Sequence, residues 1–240
     1  MSNMALEPTY ENLMHHYLND TIGRNDDLFC FVRILSGLNS GSAVALNAAW
    51  GSGKTFFVKQ AKMLIDIHNP NSDIGIECLN PEEIASIKDV YNKHNSGTEK
   101  YDMPKMATVY YDEWKYDDTE DPLLSLLYCI MNRFGKSVPE DKVAVIKKFA
   151  KQSISILSSA ARYITGINVQ EILETIKNYA DACEDTVKEQ KSDESLEKRI
   201  NSFLNDVVLD DEEKLIIFID ELDRCNPQYA VKLLERVKHY

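Results

Sequence analysis

The chain has 240 residues, of which 44% are hydrophobic and 28% charged, with a formal net charge of -12. That is long enough to bury a sizeable core and too apolar for a disordered chain. The acidic balance excludes a general electrostatic grip on nucleic acid, which needs clustered Lys and Arg; the acid-rich stretches 181–197 and 210–213 read as solvated faces.

Five scattered cysteines, odd in number and never in a Cys-x-x-Cys arrangement, give neither a disulfide framework nor a zinc site. Residues 1–17 hold no unbroken apolar segment for a secretory signal, so the expected compartment is the cytoplasm. In 26–38, Leu28, Phe29, Val32, Ile34 and Leu35 recur at helical spacing, and Gly37 with Asn39, Ser40 and Gly41 ends the helix. Residues 42–48 are a short apolar run between turn residues and predict a strand buried on both faces of a parallel sheet. Gly51, Ser52 and Gly53 break that run, and 55–67 predicts a helix with Phe56, Val58, Ala61, Leu64 and Ile65 on one face. The order is strand, glycine loop, helix.

Residues 71–105 are polar and read as loops around one helix from Pro81 to about Asn92. The β-branched and aromatic run 107–111 predicts a second strand, followed by the charged turn from Asp112 and Glu113 through Trp114 to Tyr116. A helix follows from Asp121-Pro122 to Phe134. Between 139 and 208 the pattern gives three helices and no strand, a helical insertion. Its most apolar window, 154–167, is too short to span a bilayer, which takes about 20 apolar residues, and contains Arg162, so no transmembrane segment is expected. Ordinary helix packing accounts for this window, with peripheral membrane or partner association as the alternative. Residues 215–219 form a continuous apolar run suited to a central parallel strand, ending in Asp220-Glu221-Leu222-Asp223-Arg224. Asn226 and Pro227 then open a helix with Ala230, Leu233, Leu234 and Val237 as its apolar face.

Residues 48–55 match G-x-x-x-x-G-K-[ST] except that Ala48 replaces the first glycine. Glycines let successive backbone N–H groups turn toward an anion, and the following helix adds its positive end. The expected nucleotide-binding residues are Trp50, Gly51, Ser52, Gly53, Lys54, Thr55 and Phe56. Lys54 meets the β and γ phosphates, and the Thr55 hydroxyl is a Mg²⁺ ligand. If the first position needs positive φ, Ala48 costs about 1 kcal/mol relative to Gly. Trp50 either packs against the sheet, the favoured reading, or stacks near the base. At the second acidic strand end, Asp220 is expected to hold Mg²⁺ and Glu221 to polarise the attacking water, with Glu113 and Asp112 as rivals for that role. Arg224 either pairs with Asp223 to fix the loop, senses the γ phosphate, or reaches a neighbouring subunit.

Together, 50–55, the strand ending in Tyr111 to Trp114, and 219–227 resemble the KAP family of P-loop NTPases. Family members usually carry Asp-Asp-Leu-Asp-Arg and an Asn-Ala-Trp strand end, where this chain has Glu221, Asp112 and Glu113. The resemblance implies one α/β P-loop NTPase domain over 1–240, a three-layer sandwich with a parallel sheet ordered 5-1-4-3-2 and a variable insertion between the motifs. This chain supplies strands 1, 2 and 3, so strands 4 and 5 are expected to be missing and the chain to be the front portion of a longer protein. It also implies MgATP binding and hydrolysis coupled to conformational change or assembly with a protein partner. Bacterial relatives are often tied to defence against phage. A nucleotide-gated scaffold with incidental hydrolysis is the alternative. GTP is the weaker substrate, because no Asn-Lys-x-Asp sequence occurs.

Overall fold

Seven elements follow one another in the described chain: α1 (Tyr10–Asn19), α2 (Asn25–Gly37), α3 (Lys54–His68), α4 (Pro81–Asn95), β1 (Met106–Asp112), β2 (Lys214–Asp220) and α5 (Pro227–Val237). They come from a computed structural model that describes residues 7–39, 41–70, 72, 79–95, 102–112, 125–126, 129–130, 133 and 214–237. The expected helical block at 139–208, its window 154–167 and Glu113 lie outside the described residues. Among the described residues no helix is long and apolar enough to cross a membrane. The chain divides into two units, Met1–Tyr110 with Asp211–Phe218, and Tyr111–Asp210 with Ile219–Tyr240.

In the first unit, α1, α2, α3 and α4 pack on one another around Tyr17, Leu28, Val32, Leu64 and Ile87, all fully buried. Helix α1 was not among the expected elements, although Tyr10, Leu13, Met14, Tyr17 and Leu18 recur at helical spacing and Thr9 caps it by accepting from Asn12 N at 3.3 Å. Buried polar groups pin the helices to each other. Tyr17 OH donates to Ile87 O at 3.3 Å, and Gln60 Nε2 donates to Leu13 O at 3.1 Å. Helix α4 starts in a reciprocal box: Glu83 N donates to Asn80 Oδ1 at 2.9 Å, and Asn80 N donates to Glu83 Oε2 at 2.8 Å.

Helix α3 is tied to β1 by its far end. Asp66, which is buried, accepts from Thr108 Oγ1 at 2.5 Å and pairs with Lys62, and Asn69 Nδ2 donates to Met106 O at 2.9 Å. A buried carboxylate is tolerable only with such partners. These contacts fix the helix whose first turn carries the phosphate loop.

β1 and β2 form a two-stranded sheet. Two strand expectations need correction. Residues 42–48 form no strand: the whole stretch 41–50 is irregular and exposed, with Val44 and Leu46 at 46% and 40%. A strand exists through its ladder partners, and this run has no strand beside it among the described residues. β2 is half-buried rather than central, with only Phe218 fully buried, because among the described residues it has β1 on one side and no second neighbour.

In the second unit, Ser125, Leu126, Cys129, Ile130 and Arg133 are helical, within the helix expected after Pro122. The buried stripe of α5 is Tyr229 and Leu233; Leu234, expected on the inner face, is 50% exposed. The reason is polar as much as apolar. Tyr229 OH lies 2.9 Å from Tyr111 OH and 2.9 Å from Ser125 Oγ, and Tyr111 OH lies 2.6 Å from Ser125 Oγ. Three mutually bonded hydroxyls turn the Tyr229 face inward. Burial first, and then the neighbouring Tyr229, push the Tyr111 hydroxyl well above the ordinary tyrosine range.

Candidate functional site

The glycine loop sits in the first unit, between the exposed 41–50 segment and α3. It turns at Trp50, where Ser52 N donates to Ala49 O at 3.2 Å. Gly51 and Gly53 have φ of +76° and +86°, and a Cβ at either position would meet nothing within 4 Å. Glycine is required there by conformation, not by crowding. Among the described residues, the non-glycine residues with positive φ are Asp20 and Glu221, so Ala48 takes its place without left-handed strain.

Gly53 is the N-cap of α3, and no side chain caps the helix. The first intrahelical bond runs from Phe57 N to Gly53 O at 2.9 Å, so the N–H groups of Lys54, Thr55 and Phe56 precede it. An uncapped helix start behind two left-handed glycines is a cradle for an anion. Lys54 Nζ folds back over the loop, donating to Ala48 O at 3.0 Å and to Ala49 O at 3.4 Å. Ser52 Oγ is occluded and has no hydrogen-bond partner. Phe56 points into the core, edge-on to His16 with centroids 5.5 Å apart, and can offer a ligand only its backbone. Trp50 is 82% exposed, which overturns the expectation that it packs. A third contact was not foreseen: Arg24, at the start of α2, donates from Nη1 to Ser52 O at 3.1 Å.

The acidic group sits in the second unit, where β2 ends. Asp220 Oδ1 accepts from Glu221 N at 2.9 Å, and Glu221 itself has φ +59°. A glutamate in the left-handed region is strained by about 1–2 kcal/mol and is held there by its surroundings. Its backbone carbonyl accepts from Arg224 N at 3.0 Å, and its Oε2 is ion-paired with Arg224 Nε. The expectation paired Arg224 with Asp223; the partner found is Glu221, three residues back across the turn. Burial raises the Glu221 carboxyl above the ordinary glutamate range. Arg224 opposes this, while Asp220, Asp223 and Asp112 add to it. Asp112, at the end of β1, thus joins the group electrostatically. Beyond the turn, Cys225 Sγ donates to Leu222 O at 3.1 Å and Asn226 Oδ1 caps α5 through Gln228 N at 2.9 Å.

So the structure gathers Gly51 to Phe56 with Arg24 in one unit, and Asp220, Glu221 and Arg224 with Asp112 in the other. The turn before Arg24 carried a readable signal, since Asp20 and Gly23 are residues that accept positive φ, here 44° and 67°. Nothing local announced its contact with a loop 28 residues away.

Comparison with known proteins supplies two likenesses. A family model described as the KAP family P-loop domain matches residues 31–240. An uncharacterized protein of Methanocaldococcus jannaschii is 25% identical over 167 residues, covering 58% of this chain and 86% of that protein. No solved structure matches.

Proposed function

Since the chain belongs to the KAP family of P-loop NTPases, we propose that it binds ATP with Mg²⁺ and hydrolyses the β–γ phosphoanhydride. The observation that carries this reading is the α3 start: left-handed Gly51 and Gly53, no side-chain cap, and a lysine whose ammonium rests on the loop's own carbonyls. That donor set suits a polyphosphate. The N–H groups of 54–56 are hydrogen-bond donors for phosphate oxygens, and Lys54 exchanges the carbonyls of Ala48 and Ala49 for the β and γ phosphates.

Mg²⁺ suits the oxygen ligands that Thr55 and Asp220 offer, and when bound it neutralises charge on the phosphate oxygens. Glu221 takes the proton of the attacking water. Its raised pKa brings it nearer the working pH of a general base. Asp112 helps set that pKa through its charge. Trp50, fully available at the loop's tip, stacks on the base. We take the cycle to alter association with a protein partner in the cytoplasm.

One observation favours a second reading, a nucleotide-gated interaction module with little turnover: Arg224 already engages Glu221. Glu221→Gln separates the two. The expected result is ATP affinity within about threefold of wild type and hydrolysis lower by roughly 10²–10⁴, the range general acid–base catalysis contributes. A wild type that binds ATP without hydrolysing it faster than Glu221→Gln would establish the module instead.

A further inference from the structure

Arg24, which touches the phosphate loop, lies ahead of residues 31–240, the stretch that matches the family model and holds the loop itself. The loop's weak point is the peptide joining Ser52 to Gly53. Rotating that peptide changes ψ of Ser52 and φ of Gly53, and glycine accepts either sign of φ, so the local sequence does not fix which way the peptide faces. A planar trans peptide points its C=O and the next N–H in opposite directions. Whatever holds the Ser52 carbonyl therefore also aims the Gly53 N–H. Arg24 Nη1 holds it, at 3.1 Å.

Arg24 is itself anchored by its backbone. Asp20, left-handed at φ 44°, closes the α1–α2 turn with its carbonyl, which accepts from Gly23 N at 2.9 Å. Its Oδ1 accepts from Arg24 N at 3.0 Å and from Asn25 N at 3.2 Å. Asn25 Nδ2 in turn donates to Tyr17 O at 2.8 Å, on a residue fully buried in the helical core. The guanidinium is thus delivered from a fixed turn.

We propose that Arg24 is a positioning residue of the phosphate loop: by holding the Ser52 carbonyl it keeps the Gly53 N–H turned the other way, toward phosphate. The inference rests on the nucleotide reading above and deepens it. Arg24 acts on the loop rather than on the ligand's base, so its removal weakens any polyphosphate that uses the cradle.

The test is equilibrium binding of a fluorescent ATP analogue and, by competition, of inorganic tripolyphosphate, both with Mg²⁺. Arg24→Met keeps an unbranched apolar stem and removes the donors. Both probes should weaken by the same factor, about tenfold, the scale of one lost hydrogen bond to a charged group. Arg24→Lys, which retains a donor, should recover most of that loss. Because Arg24 is exposed, the thermal midpoint without ligand should stay within about 2 °C; should Arg24→Met fail to fold, Arg24→Ala, which likewise has no side-chain donor, is read in the same way.

Unchanged tripolyphosphate affinity in the donor-free variant overturns the proposal, as does a loss confined to the ATP analogue, which would put Arg24 at the base or ribose. Lys54→Ala is the arm that separates the two levels. If it loses both probes while Arg24→Met keeps them, only the positioning role fails. If Lys54→Ala binds both as tightly as wild type, the nucleotide reading fails and this inference with it.

Discussion

The glycine loop and the acidic strand end reach the same backbone region by opposite means. At the loop, left-handed φ falls on Gly51 and Gly53, where it is free of Cβ strain. At the strand end it falls on Glu221, where it is not. The loop offers mainly backbone groups to a ligand, and its geometry is nearly complete within eight consecutive residues. The strand end offers side chains, and their placement depends on β1, the Arg224 pair and the Tyr111–Ser125–Tyr229 hydroxyls. A backbone site is set by local conformation, whereas a side-chain site is held by tertiary contacts that carry its strain.

The sharpest way to break this contrast is Glu221→Gly. It removes the general base, so hydrolysis should fall by roughly 10²–10⁴. It also relieves a strained φ of about 1–2 kcal/mol while giving up an ion pair worth about 0–1 kcal/mol at this partly exposed position. Folding stability by urea denaturation should be unchanged or higher. A loss of more than about 1 kcal/mol would mean that Glu221 is not strained in the folded protein.

Gly53→Ala is the mirror experiment, with a smaller effect. The added methyl meets no atom within 4 Å, so only the φ of +86° opposes it, and stability should drop by about 1–2 kcal/mol. Gly37→Ala, also in open space but without positive φ and at the last residue of α2, should be neutral or stabilising by up to about 1 kcal/mol. Equal losses in both variants would remove the conformational argument for the loop. Tyr229→Phe probes the support of the strand end. It deletes two of the hydroxyl contacts to Tyr111 and Ser125 and should destabilise by about 1 kcal/mol in urea denaturation, leaving nucleotide affinity unaltered.

How much of this was legible in the sequence follows the same division. The loop, the helix after it and the cap at Asn226 could be read because each is set by neighbours within a turn or two. Residues 42–48 could not be read correctly, because an apolar run states that a strand would be buried if it had neighbours, not that it has them. Trp50 and Leu234 failed for a related reason: hydrophobicity says what prefers cover, while exposure depends on what lies opposite. Tyr111 and Tyr229 meet across 118 residues, a contact no local pattern encodes. The φ of Glu221 was equally hidden, since a glutamate after an apolar strand gives no sign of left-handed backbone.

The smallest expected effect is the one that tests the electrostatics of the strand end alone. Glu221 must be ionised to accept a proton, and burial together with Asp220, Asp223 and Asp112 raises its pKa while Arg224 lowers it. The acid limb of the hydrolysis rate should therefore lie above the ordinary glutamate range. Arg224→Ala removes the lowering charge, so that limb should move to still higher pH. Stability carries the same sign. A carboxyl whose folded pKa is raised binds its proton more tightly in the native state than in the unfolded chain, so stability declines as pH rises from the ordinary glutamate value through the folded one. Losing Arg224 extends that decline upward. A pH–rate profile and urea denaturation at several pH values read both shifts, and an acid limb that moves down in Arg224→Ala would show that the arginine does not hold the glutamate in its ionised form.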